Sequence, residues 1–363
     1  MLLVSILGDF HSSIFPIFYE FKDSIHTHLI VYDDAFKERL SSKKILNSLK
    51  EFSKNHTLNI ETVSYSIDED SYESIVALIK KIQSLESNAQ NIYINTTDGL
   101  SNIGVILGSK LLNLGAKVIA YDMYENSYNL TTQNSIVTQK LSSKMSIKEH
   151  FELKGIRVKA TEDKSFADKN AKSITKLFEL YHKQFALLKA DVTMGTIKEK
   201  KYKEALAIVK ELNLDPLKHK KEITGGLFEW YVYLLVKELK FDDIEVGVTV
   251  ESSFSNSTTI KNEFDILIMK DNHLNMIECK FTKRVDIKAL VYKYSTLLNF
   301  IDDDGKMMIL TQKGDYSYDL YTKSEPQLEP YRRALVNKIL LRGSILDNRD
   351  EFINDAREYL KLV

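Results

Sequence analysis

The chain has 363 residues, 44% of them hydrophobic, and a net charge of −1 from 50 Lys and Arg against 51 Asp and Glu. That length is enough for two ordinary cores, and the balanced charge argues against tight nonspecific binding to nucleic acid while leaving room for a local basic groove. One cysteine excludes an intramolecular disulfide framework, no apolar run approaches the roughly 20 residues that span a bilayer, and residues 1–9 lack the basic start of a signal peptide, so a cytoplasmic protein is expected.

Over the first 145 residues short apolar runs alternate with helical periods, the pattern of an α/β domain with a mainly parallel sheet. Strands are expected over 2–7, 28–32, 57–65, 91–95 and 116–121, with helices over 12–22, 35–55, 71–84 and 102–114. His26 and His28 read as the start of the second strand and not as a metal site. Ligands of open α/β sheets bind beyond the carboxyl ends of strands, where loops feed helix N-termini. Two loops stand out there: Gly8-Asp9-Phe10-His11-Ser12-Ser13 after the first strand and Asn95-Thr96-Thr97-Asp98-Gly99-Leu100-Ser101-Asn102 after the fourth. Both are dense in small hydroxyl and amide residues that present donors and open backbone N–H groups to phosphates. The same residues also serve in caps and turns. Neither loop carries a dinucleotide fingerprint or a P-loop.

Residues 146–222 read as a helical connector, with clear periods over 168–190 and 198–212 and a break over 191–196. Its lysines at 198, 200, 201, 203, 218, 220 and 221 read mainly as a solvated face. Next comes an apolar helix over 224–236, opened by Thr224, Gly225 and Gly226, in which Glu229 is an anomalous acid among Phe228, Trp230, Tyr231 and Tyr233.

The richest segment follows. Asn262-Glu263-Phe264-Asp265-Ile266-Leu267-Ile268 and Met276-Ile277-Glu278-Cys279-Lys280 are short apolar runs joined through Lys270-Asp271-Asn272-His273, so an antiparallel hairpin is expected. Strand residues two apart share a face, which puts Glu278 and Lys280 together, turns Cys279 away, and lets Asp265 reach them from the neighbouring strand. Two carboxylates, the Cys279 backbone carbonyl and open water positions suit Mg²⁺ or Mn²⁺. Such an ion polarises a phosphoryl oxygen and activates water, and a lysine beside it orients that water or stabilises developing charge. An ordinary hairpin also carries charges on a solvated face, but here Phe264, Ile266, Leu267, Ile268, Met276, Ile277 and Phe281 imply central strands, where unpaired carboxylates are costly. A helix over 288–299 brings Tyr292, Lys293 and Tyr294 near the site, with Lys293 a candidate substrate-phosphate contact. A strand is expected over 307–311, and the tail carrying Arg332, Arg333, Lys338 and Arg342 reads as helical.

A helix glutamate, then Asp, then Glu-x-Lys on a hairpin resembles the PD-(D/E)XK nuclease superfamily. Gly-Gly-Leu-Phe-Glu-Trp-Tyr-Val-Tyr from Gly225, with Asn-Glu-Phe-Asp and Ile-Glu-Cys-Lys, resembles its branch of CARF-domain nucleases from type III CRISPR antiviral defence. The superfamily's proline is absent before Asp265. The resemblance implies that Asp265 and Glu278 hold metal, Lys280 is the catalytic lysine and Glu229 an accessory acid. It also implies a Rossmann-like CARF domain over 1–145, the connector over 146–222 and a restriction-endonuclease-like α/β domain over 223–363.

In that family the N-terminal domain binds a cyclic oligoadenylate across a homodimer's two-fold axis; cyclic tetra-adenylate is the expected ring, and Gly8, His11, Ser12, Ser13, Thr96, Thr97, Asp98, Gly99, Ser101 and Asn102 are the expected contacts. The family's second loop often reads Asn-x-Thr-Gly-Gly-Thr-Lys, from which this chain departs at Asp98, Leu100 and Ser101. The implied activity is ligand-switched cleavage of DNA or RNA. A constitutive restriction- or repair-type nuclease and a non-enzymatic CARF sensor are the alternatives.

Overall fold

A computed structural model describes residues 1–8, 14–33, 42–68, 70–97, 101–255, 258–282, 285–301, 305–312, 325–343 and 345–360; the side chains at 42, 101–102, 252–255, 258–260, 299–301 and 325–328 are left aside. The chain divides into two units, 1–157 and 158–362. The sequence drew boundaries at 145 and 222; here the helices of the intervening stretch share one core with the C-terminal strands.

The first unit runs β1 (Leu2–Ile6), α1 (Ile14–Phe21), β2 (Thr27–Asp33), α2 (Ser42–Asn55), β3 (Glu61–Ile67), α3 (Tyr72–Leu85), β4 (Ile92–Asn95), α4 (Ser101–Leu112), β5 (Lys117–Asp122), β6 (Ser127–Thr131), β7 (Ile136–Lys140) and α5 (Ile147–Leu153). Its seven-stranded sheet has the order β3-β2-β1-β4-β5-β6-β7. The first five strands are parallel, and β6 and β7 add an antiparallel hairpin. Because β1 is buried on both faces, its whole run is apolar apart from Ser5. Leu3 packs with Phe15, Phe18 and Phe52 on one face, and Leu2, Val4 and Ile6 pack with Ile75, Leu78, Ile103 and Leu107 on the other. Burying one such side chain contributes about 1.5–3 kcal/mol, and helices on both faces make the sheet doubly wound.

The third strand begins at Glu61, later than the expected residue 57, because Thr57 takes φ +56° and closes α2. His28 is wholly buried on β2, bonded to Ser5 Oγ at 2.9 Å and stacked on Phe18. Burial pushes its pKa down to about 3, which keeps it neutral.

The second unit runs β8 (Arg157–Ala160), α6 (Lys164–Lys169), α7 (Ala171–Thr193), α8 (Lys203–Glu211), α9 (Leu227–Lys237), β9 (Asp243–Ser255), β10 (Thr258–Lys270), β11 (His273–Lys280), α10 (Ile287–Ile301), β12 (Met307–Thr311), α11 (Glu325–Val336), β13 (Ile339–Arg342) and α12 (Arg349–Leu360). Its six strands lie in the order β13-β12-β11-β10-β9-β8. Strands β9, β10 and β11 form an antiparallel meander, and β12 and β13 extend it in parallel through α10 and α11. Helices α7, α8, α9 and α12 share a core with Ile266, Ile268, Ile277, Cys279 and Phe281 of the meander.

Arg342, read from sequence as part of a helical tail, instead ends strand β13. Ile339 and Leu341 bury alternately there, the two-residue period of a strand. Among the described residues no helix is long and apolar enough to cross a membrane.

Candidate active site

The hairpin forms where expected. Lys270 pairs with His273 across a two-residue turn in which Asp271 and Asn272 both take positive φ, +50° and +66°. Asp and Asn tolerate that conformation, and it matches the twist of the flanking strands. The turn fixes register, and continuing the pairing Ile266–Ile277 by one residue sets Asp265 across from Glu278. There the two strands part. In place of a backbone bond, the Cys279 N–H donates to Asp265 Oδ2 at 2.7 Å, while β11 stays paired to β12 on its other side through Glu278–Ile309 and Lys280–Thr311.

Glu278 and Lys280 share the face predicted by their spacing, and Cys279 turns into the core. The Lys280 ammonium lies 3.5 Å from Asp265 Oδ2 and contacts Glu278 Oε1 directly. The Glu278 side chain is only 4% exposed and that of Asp265 15%. Burial, and then the charge of Glu278, push the Asp265 pKa well above the usual carboxylate range. Glu229 is raised too, by burial and then by Asp265 and Glu162. For Lys280, burial opposes the charge, but Asp265 and Glu278 outweigh it and hold the ammonium above the ordinary lysine range. The linkage has a definite sign: carboxyls with raised pKa cost folding stability increasingly as pH climbs through their folded values, and a bound cation offsets that cost.

Hard oxygen donors on a buried hairpin fit Mg²⁺ or Mn²⁺ better than a soft metal, since the one thiol faces away. Among the described residues no three His, Cys, Asp or Glu side chains gather as a complete ligand set. A site built on Asp265 and Glu278 would therefore complete itself with the Cys279 carbonyl and water, as Mg²⁺ sites commonly do.

Glu229 enters from α9. The helix begins earlier than its sequence pattern, in a single π-helical turn over Glu222–Gly226, of the kind often found at functional sites. A Cβ at Gly225 would stand 3.1 Å from Glu229 Oε1, so glycine there leaves the carboxylate room. Lys293, on α10, donates to the Tyr294 hydroxyl at 2.9 Å. Tyr294 is itself buried and hydrogen-bonded to Glu278, which with burial raises its pKa. Lys293 thus stands one hydroxyl away from the acid pair.

Two neighbours of the site escaped the sequence reading. Glu162, just after β8, packs over Gly247 of β9 so closely that an added Cβ would meet its Cγ at 2.3 Å, and Gly247 has φ +57°. It bonds Lys221 at 3.4 Å, and Lys221 also reaches Glu263 at 3.1 Å. Lys189, on α7, is the second. Its ammonium donates to the Phe281 carbonyl at 2.6 Å and lies 5.2 Å from the Phe281 ring. No local spacing signals either residue; tertiary packing brings them in.

In the N-terminal unit the sheet order reverses between β1 and β4, whose pairing runs from Leu2–Ile92 to Ser5–Asn95. The two loops singled out by composition therefore leave adjacent strand ends at the topological switch point, where such sheets bind ligands. Gly8 is buried there. His11, Ser12, Ser13, Asp98 and Gly99 lie outside the described residues, and Ser101 and Asn102 open α4. Thr97 Oγ1 donates to Asn95 Oδ1 and accepts from the Tyr121 N–H at 2.9 Å, while Thr96 Oγ1 donates to the Ile119 carbonyl at 3.3 Å. Both hydroxyl protons thus shape the loop, as do the backbone N–H groups of Thr96, which donates to the Ile119 carbonyl at 2.9 Å, and of Thr97, which donates to Asn95 Oδ1 at 3.1 Å.

Residues 218–301 match the family model for the Card1-like endonuclease domain. No curated protein sequence matches the chain. Among solved structures it is similar to protein VC1899 from Vibrio cholerae, with TM-score 0.79 at 13% identity over 99% of this chain and 98% of that one. It is also similar to Can2 from Sulfobacillus thermosulfidooxidans in complex with cyclic tetra-adenylate, with TM-score 0.71 at 15% identity over 100% and 99% of the two chains. A type III CRISPR defence DNA nuclease activated by cyclic oligoadenylate aligns with TM-score 0.51 at 11% identity, over 86% of this chain and 45% of that one. At these identities the structural likeness carries the fold, and the family match falls on the segment holding Glu229, Asp265, Glu278 and Lys280.

Proposed function

We propose that the chain is a nuclease of CRISPR antiviral defence, dependent on Mn²⁺ or Mg²⁺ and switched on when its N-terminal unit binds a cyclic oligoadenylate, cyclic tetra-adenylate in the first instance. The observation that carries the chemistry is the convergence of Asp265 and Glu278 on the Lys280 ammonium within the segment matching Card1-like endonucleases. Regulation is supported by the two loops at the switch point and by the full-length likeness to Can2.

Asp265, Glu278 and the Cys279 carbonyl would hold the metal, which supplies Lewis-acid activation of the phosphodiester and of water. Lys280 then holds a positive charge where the pentavalent phosphate accumulates negative charge, and its Nζ–H can orient the attacking water. The Tyr294 hydroxyl keeps Glu278 turned toward the site. Glu229, held protonated more readily than an ordinary acid, can give a proton to the leaving oxygen. A ring with two-fold symmetry is read best by two copies of the switch-point loops, so the active form would be a homodimer. Ligand shifts such a pair only through its differential affinity for the active arrangement.

Metal titration tests the chemistry. Cleavage of nucleic acid should vanish in excess chelator and return with Mn²⁺ or Mg²⁺; undiminished cleavage in chelator would remove Asp265 and Glu278 from the metal-binding role.

A further inference from the structure

The site contains a cation whose charge nothing in the chemistry above employs. Lys280 and Lys221 are each matched to two carboxylates, Asp265 with Glu278 and Glu162 with Glu263. Lys189 has only a neutral partner among the described residues, the carbonyl of Phe281, the residue that follows Lys280. Its position is firmly set. Phe185, one turn earlier on the same face of α7, packs 5.4 Å from the Phe281 ring, and Phe178 and Phe228 close on that ring at 5.5 and 5.1 Å. The cluster ties α7 and α9 to the exit of the catalytic strand.

An ammonium has three donors, and the carbonyl takes one. Half-burying it beside a second ammonium is unfavourable, and burial followed by Lys280 holds its pKa down to about 8. A phosphodiester supplies both the missing charge and the missing acceptors.

We infer that Lys189 is a substrate-phosphate contact of the nuclease, a positioning cation that holds the nucleic-acid backbone against the Asp265, Glu278 and Lys280 site from the α7 side. The inference rests on the nuclease reading above. It adds a helix that precedes the matched endonuclease segment to the substrate surface, so that the unit from residue 158 onward works as one piece.

The test compares wild type with Lys189→Met and Lys189→Arg. With cyclic tetra-adenylate present throughout, equilibrium binding of a labelled DNA duplex, a DNA single strand and an RNA of the same sequence is measured in chelator across a salt series, and steady-state cleavage with Mn²⁺. Each phosphate contact contributes roughly 0.7–0.9 to the slope of log affinity against log salt. Lys189→Met should flatten that slope by about one such unit and lower kcat/KM about tenfold or more, with melting temperature nearly unchanged; Lys189→Arg should restore the slope. A Lys189→Met protein with the wild-type slope would overturn the inference, whether its melting temperature is unchanged or lowered, because the lysine would then merely pin α7 to Phe281. If wild type neither binds nor cleaves any of the three probes, the nuclease reading itself falls and the Lys189 contact with it, an outcome distinct from a functioning enzyme indifferent to residue 189.

Discussion

Glu278→Ala should lower the cleavage rate by several orders of magnitude while leaving the fold and ligand binding nearly intact. The size follows from what is lost together: a carboxylate only 4% exposed, one of two side chains gathered on the Lys280 ammonium, and with it the place of the metal. Folding should survive because that carboxylate is costly to bury in its ionised form. Lys280 would keep Asp265 as its partner at 3.5 Å. Single-turnover cleavage under saturating Mn²⁺, alongside circular dichroism, checks both halves. A variant that cleaves like wild type would dismiss the hairpin as the catalytic centre, whatever the family resemblance.

Cyclic tetra-adenylate should raise the melting temperature of the protein. A ligand at one hundred times its dissociation constant stabilises the native state by about 2.7 kcal/mol, an effect large enough to read directly. The shift should disappear in Ser12→Ala and Ser101→Ala, whose loops leave β1 and β4 at the switch point, and should shrink in Thr97→Val. Thr97 acts there by holding Asn95 and the Tyr121 N–H in place. All three variants should keep whatever ligand-independent cleavage the wild type has. A melting temperature indifferent to every cyclic oligoadenylate would leave a nuclease without this switch.

What the sequence made legible and what it did not divide along a physical line. Asp265, Glu278 and Lys280 could be placed because a strand repeats every two residues and because Asp271 and Asn272 suit the left-handed turn that sets their register. The α/β class was readable from the alternation of Leu2–Ile6, Thr27–Asp33 and Ile92–Asn95 with amphipathic helices. The β6–β7 hairpin went unread because β7 is exposed along its whole length and so carries no burial pattern. Strand β13 was mistaken for helix because four residues, of which two are buried, give too short a period to recognise beside Arg332 and Arg333. Glu162 and Lys189 lay beyond any local reading. Glu162 is brought in by β8 and accommodated by Gly247, and Lys189 by an aromatic cluster whose four rings come from α7, α9 and the end of β11. A half-buried cation whose partner is a carbonyl 92 residues away has no sequence signature.

The most direct measurement is the rate of nucleic-acid cleavage by the full chain with Mn²⁺, in the presence and absence of cyclic tetra-adenylate, with Glu278→Ala as the control. Ligand-switched chemistry predicts slow cleavage by wild type alone, a large rise on adding the ring, and no rise in the variant. Cleavage at one rate with and without the ring, abolished by Glu278→Ala, would contradict the switch and identify a constitutive nuclease.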